Sequence, residues 1–163
     1  MASGDSLCFF TPQMSENQSG CSFDVRNGLL VLDFDASTDE TCEFAGYMPQ
    51  HYAGTTGITV KVLWMSQDQT TGNCIWDVAF KSITDDADDV DTKAFAAVNS
   101  VTATTASATG EVDYASITFT DGADMDSVAA GEYFRMQVRR DADNASDTLT
   151  NDAELVGIII EET

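Results

Sequence analysis

Apolar and polar side chains alternate at every second position along much of this chain, and the clearest run is Ile58 to Met65. There Ile58, Val60, Val62 and Trp64 share one face, and Thr59, Lys61, Leu63 and Met65 the other. A period of two is the pattern of a β-strand with one face in a core. A polar connection with a turn-forming Gly72-Asn73 pair follows. The alternation then resumes, with Cys74, Trp76, Val78 and Phe80 on one face. These two segments predict a hairpin that carries both tryptophans at the centre of a β-sandwich.

The same pattern predicts further strands on both sides. Asn27-Gly28 turns the chain into a strand over Leu29–Phe34, and Pro49 ends another over Thr41–Met48. Strands also read out at Val112–Phe119, Glu132–Arg140 and Ala153–Glu161. Residues 93–104 are Ala-rich and fit either a weaker strand or a short helical turn. In the Glu132–Arg140 segment Phe134, Met136 and Val138 point inward, and Arg135, Gln137 and Arg139 outward. Roughly eight or nine strands with regular turn signals predict an all-β fold. No long helical pattern intervenes, which excludes parallel βα units. The expected architecture is an antiparallel two-sheet β-sandwich of jelly-roll or another Greek-key order. Residues 1–28 mix apolar and turn-rich stretches and read as an irregular N-terminal arm. Residues 29–163 read as the β-sandwich domain.

Composition narrows the classes of function. A chain of 163 residues with 43% hydrophobic residues has the size and make-up of one globular domain. Seven Lys and Arg stand against 28 Asp and Glu, a formal net charge of −21. Such a chain lacks the basic surface that neutralises phosphates, so neither a nucleic acid nor an anionic membrane is an expected partner. No run approaches the roughly 18 apolar residues of a membrane span. The first residues show no signal-peptide pattern, which predicts synthesis in a cytoplasm. Cys8, Cys21, Cys42 and Cys74 form no CxxC pair, so zinc and redox motifs have no support, and the cysteines are expected to be unpaired.

Candidate chemistry is sparse. His51 is the sole histidine and stands in a loop beside Tyr52. No nucleophile elbow, metalloprotease helix or phosphate-binding glycine loop occurs, and carboxylate pairs are uninformative in so acidic a chain. No catalytic residue, cofactor or enzyme activity is expected. The acidic segment Asp85, Asp86, Asp88, Asp89 and Asp91 invites a calcium reading but lacks EF-hand spacing. Asp121, Asp124 and Asp126 form a second such loop, and solvated turns are the plainer reading of both. Arg135, Arg139 and Arg140 concentrate three of the seven cations on one strand. They are expected to pair with carboxylates, within the subunit or across an interface. With Phe9 and Phe10 of the arm they make up a candidate subunit interface.

The sequence of motifs also carries a resemblance. Met48-Pro49, Gly57–Trp64, Cys74–Val78, Asp88–Asp91, Gly131–Asp141 and Asp152–Ile158 together resemble small virion proteins of tailed bacteriophages, over residues 29–162. That resemblance implies a jelly-roll structural module on a virion surface and transfers no active-site residue. It implies a capsid decoration protein, trimeric, with the major capsid protein and itself as partners. The alternative is a tail-fibre or tail-tip module that recognises a host surface through Tyr47, Tyr52 and Tyr114. A secreted lectin-like domain is a third reading, against which the missing signal peptide counts.

Overall fold

The computed structural model describes residues 3–163. Among them eleven strands form: β1 (Ser6–Phe10), β2 (Ser15–Ser19), β3 (Ser22–Arg26), β4 (Leu29–Phe34), β5 (Glu40–Tyr47), β6 (Ile58–Ser66), β7 (Asn73–Ile83), β8 (Asn99–Thr104), β9 (Asp113–Phe119), β10 (Tyr133–Arg140) and β11 (Ala153–Glu162). Every pairing is antiparallel. The front sheet has the order β2-β5-β10-β7-β8, and the back sheet β3-β4-β11-β6-β9 with β1 also on β11. The chain is thus an all-β, two-sheet antiparallel sandwich of jelly-roll type, as the alternation indicates.

Two expectations change. The predicted hairpin does not form: β6 pairs with β11 and β9 in the back sheet, while β7 pairs with β10 and β8 in the front sheet. The polar loop between them is a crossover. Trp64 and Trp76 therefore meet edge-on across the sandwich, ring centroids 6.1 Å apart and ring planes at 66°, and not side by side on one sheet. The segment expected as an irregular arm is largely strand. β1 and β3 join the back sheet and β2 the front sheet. β1 and β4 lie end to end along the same side of β11, separated where the register of β11 slips between Leu155 and Gly157. One long strand thus carries two short neighbours, and the slip lets each keep its apolar residues inward.

The core fills the space between the sheets. Phe34 packs edge-on against Trp76 at 5.1 Å, and Phe80 against Phe119 at 5.0 Å. Phe10 packs on Phe44 and Phe134. Edge-to-face pairs of this kind add to the burial of the rings themselves. Gly46 sits inward on β5 directly beneath the Phe134 ring, where a Cβ would clash with that ring. Its lack of a side chain leaves the space in which the Phe134 ring lies over β5.

Arg140 is the largest polar group in this interior and is fully buried. Its Nε and Nη2 donate to the two carboxylate oxygens of Asp147, at 3.1 and 2.8 Å. Nη1 and Nη2 also donate to the carbonyls of Phe34, Asn151 and Leu149. The loop 141–152 is folded around this guanidinium, so Arg140 is structural and is unavailable to a neighbouring subunit. Phe10 is likewise buried in the core and not at an interface.

Candidate functional site

The outward face of the front sheet is read directly from its register. Tyr133 lies between Tyr47 on β5 and Ile83 on β7; Arg135 lies between Ala45 and Lys81; Gln137 lies between Glu43 and Ala79. Residues directly opposite on paired strands have Cβ atoms about 5 Å apart and share a face. Tyr47 and Tyr133 are therefore neighbouring rings on one surface, and both stay accessible, at 56% and 40%.

Two clefts meet at Tyr133, and Tyr47 lines one of them. One, of about 320 Å³, is lined by Asn17, Glu43, Lys81, Ile83, Val90, Tyr133 and Arg135. The other, of about 580 Å³, runs along Tyr47, Thr84, Asp85, Asp86, Asp88 and the turn from Ala129 to Tyr133. Ile83 and Tyr133 line both and form the ridge between them. The two clefts adjoin across this ridge, and together they form a furrow with the Tyr133 ring at its middle and polar groups along its walls.

Local hydrogen bonds hold these walls. Gly131 adopts a φ of +78°, and its N–H donates to Met48 O at 2.8 Å, while Met48 N donates to Glu132 O at 2.8 Å. This closes the end of β5 against β10 and sets the two tyrosines side by side. Glu132 accepts from Ala129 N at 2.9 Å and from Thr84 Oγ1, tying the acidic loop to the start of β10. At the other end Arg135 donates to Glu16 at 2.6 Å and Glu43 at 3.0 Å. Asn17 donates to the second oxygen of Glu43 at 2.8 Å. Charge-assisted bonds of this sort position side chains well even where their net stabilisation is modest.

The acidic segments do other work than chelation. Asp88 accepts from Thr84 N at 2.8 Å and pairs with Lys93 at 3.0 Å, and Asp89 accepts from Asp91 N. Asp121 accepts from the Tyr52 hydroxyl at 2.9 Å, Asp124 from Thr120 N, and Asp126 from Ser82 N and Oγ. Asp88 and Asp89 thus cap turns of their own loop, and the segment Asp85, Asp86, Asp88, Asp89 and Asp91 is not among the groups of three carboxylates near enough to share an ion in the described residues. Carboxylates close enough to share an ion do occur, in two other places: Asp24, Asp33 and Glu154 on the back sheet, and Asp39, Asp141 and Asp143 beside the front sheet. Each group already meets an arginine. Arg26 donates to Glu154, and Arg139 pairs with Asp39 at 3.0 Å and Asp141 at 3.3 Å. Burial, then repulsion from Glu154, Asp24 and Asp152, pushes the Asp33 carboxyl up to about 6.

The sequence-derived candidates scatter. Of Tyr47, Tyr52 and Tyr114, Tyr47 alone lies on the furrow. Tyr52 is 4% exposed, and burial together with the Asp121 carboxylate pushes its phenol up. Tyr114 is exposed on β9 of the other sheet. Phe9 is exposed on β1, while Arg135 and Arg139 are engaged by carboxylates of their own subunit. His51 is exposed in the turn after β5. Tyr133 and Lys81 were missed. Alternation places both outward, but only the pairing of β10 with β5 and β7 brings them together.

The chain matches no family model and no curated protein. Solved structures of similar fold do exist. One is the CBM22 and GH10 modules of a Clostridium thermocellum endo-1,4-β-D-xylanase complexed with xylohexaose, at 12% identity and a TM-score of 0.50. That match spans 98% of this chain and 29% of the xylanase chain. Two others are a carbohydrate-binding module of Cellvibrio mixtus lichenase in complex with cellotriose and a xylan-binding domain from Paenibacillus barcinonensis. Both are 12% identical, with TM-scores of 0.47; the matches span 97% and 95% of this chain and 98% and 91% of theirs. The xylanase match supports the jelly-roll sandwich, and the protein it points to is a xylanase and not a virion protein, which overturns the phage reading. The expected capsid decoration role, its tail-module alternative, the major capsid protein as partner and the trimer on a shell fall together.

Proposed function

We propose that this chain is a non-catalytic carbohydrate-binding domain, and that it holds a glycan chain in the furrow over Tyr47 and Tyr133. The observation that carries this reading is the juxtaposition of two exposed tyrosines at the junction of two polar-walled clefts. A pyranose ring presents apolar C–H groups on its faces and hydroxyls around its edge. An aromatic face accommodates the first, and tyrosine hydroxyls, carboxylates and amides satisfy the second. Tyr133 and Ile83 offer an apolar ridge against which a sugar face can rest. Asn17, Thr84, Asp86 and Glu132 offer donors and acceptors on the walls. The two adjoining clefts offer room for more than one sugar ring, which suits a chain more than a free monosaccharide.

The test is a titration of isotope-labelled protein with xylohexaose, the ligand held by the similar xylanase modules, followed by amide NMR. Binding in the furrow shifts resonances of Tyr47, Ile83, Thr84 and Tyr133 and leaves Tyr114 and Phe23 of the other sheet unmoved. Shifts centred on Tyr114 or Phe23 place the site elsewhere. If xylohexaose gives none, the same titration is repeated with β-glucan, galactan and uronic-acid oligosaccharides. Silence across that panel contradicts a glycan-binding role.

A further inference from the structure

Six of the seven Lys and Arg side chains sit within ion-pair distance of a carboxylate. Lys81 is the exception among the described residues, although the chain carries 28 acids. Its ammonium is held over the Phe95 ring, 4.6 Å from the centroid. A cation–π contact of this kind orients the charge without neutralising it. Lys81 also lies directly opposite Arg135 on the neighbouring strand. Like charges so placed repel. Arg135 is compensated from its far side by Glu16 and Glu43, yet its Nε remains buried with no acceptor. Lys81 has no such compensation, and both residues line the same cleft beside Tyr133.

We infer that this end of the furrow takes an anionic group, and that the glycan bound there carries a uronic acid whose carboxylate is met by Lys81. The inference rests on the glycan-binding reading and specifies its ligand. The two ends of the furrow differ in charge. Lys81 and Arg135 stand at one end, and Asp85, Asp86, Asp88 and Glu132 at the other. A carboxylate on the sugar is attracted to the first and repelled by the second, so the same groups fix the direction in which the chain lies. The large negative net charge does not prevent this. At physiological ionic strength charges beyond about 8 Å are largely screened, and the local pair dominates. Glu43, the one acid in the lining of this cleft, is already engaged by Arg135 and Asn17.

The test compares an oligosaccharide bearing glucuronic acid with the same oligosaccharide after reduction of its carboxyl to a primary alcohol, by calorimetry at low and physiological salt. The protein is expected to bind the acidic form roughly fivefold more tightly, as one partly exposed ion pair supplies. That preference narrows as salt rises. K81Q abolishes the preference, K81R retains it, and Y133A weakens binding of both forms. Thermal melts of each variant check folding. Equal affinity of the unsubstituted protein for both forms overturns the acidic-ligand inference while the glycan reading stands. So does a preference that survives K81Q. Failure to bind either form, or any neutral glycan, overturns both.

Discussion

Arg140 shows how a single residue can be misread from periodicity. Alternation puts it on the inward face with Phe134, Met136 and Val138. A cation there looks like an outward-facing strand end, because nothing local reveals that Asp147 and three carbonyls will surround it. A buried charge left without its partner is strongly destabilising. R140M is therefore expected to lose about 3 kcal/mol or more in urea denaturation, because Asp147 stays buried and unpaired. An interface arginine would lose little in the isolated subunit. Asp33 gives a prediction with a definite sign. Its carboxyl titrates at about 6 in the folded chain, against roughly 3.9 when unfolded. The native state thus binds the extra proton between those values, and stability falls as pH rises through that window. D33N removes the cost, flattening the profile from about pH 4 to 6. It stabilises the protein at pH 7 by about 1 kcal/mol, since solvent reaching the carboxyl screens part of the repulsion.

At the level of elements, most strands were legible because each buries one face and exposes the other. Leu29–Phe34 is read with its observed ends, and β5, β6, β9, β10 and β11 to within a residue or two. Pairing was not legible. The runs that become β6 and β7 are consecutive, and a short polar loop fits a hairpin as well as a crossover. The two outcomes differ only in which partners the strands find. The first strands were obscured for another reason: β2 and β3 are short, mostly exposed edge strands with little alternation to see. Their segment is nonetheless part of the fold. Phe10 fills a core position against Phe44 and Phe134, so F10A is expected to cost about 3 kcal/mol in chemical denaturation. A loosely attached arm would leave the midpoint unchanged.

For the whole molecule, the clearest compositional signal, a net charge of −21, argues against nucleic acid and anionic membranes as expected partners but does not locate a site. The site emerges only when β10 is placed between β5 and β7. That placement sets Tyr133 beside Tyr47 and Lys81 beside Arg135. Tyr47 could be picked out as an exposed aromatic at a strand end; its partner could not, because the two are far apart in the chain. The same acidic background gives the furrow its contrast, with an uncompensated lysine at one end and carboxylates at the other. The most direct measurement is the affinity of the protein and of Y47A and Y133A for a panel of neutral and uronic-acid polysaccharides, by affinity electrophoresis. Retardation of the unsubstituted protein by at least one polysaccharide, reduced tenfold or more (about 1.4 kcal/mol) in both folded variants, is the expected result. Equal retardation of all three proteins, or retardation of none by any polysaccharide, contradicts a glycan site at the two tyrosines.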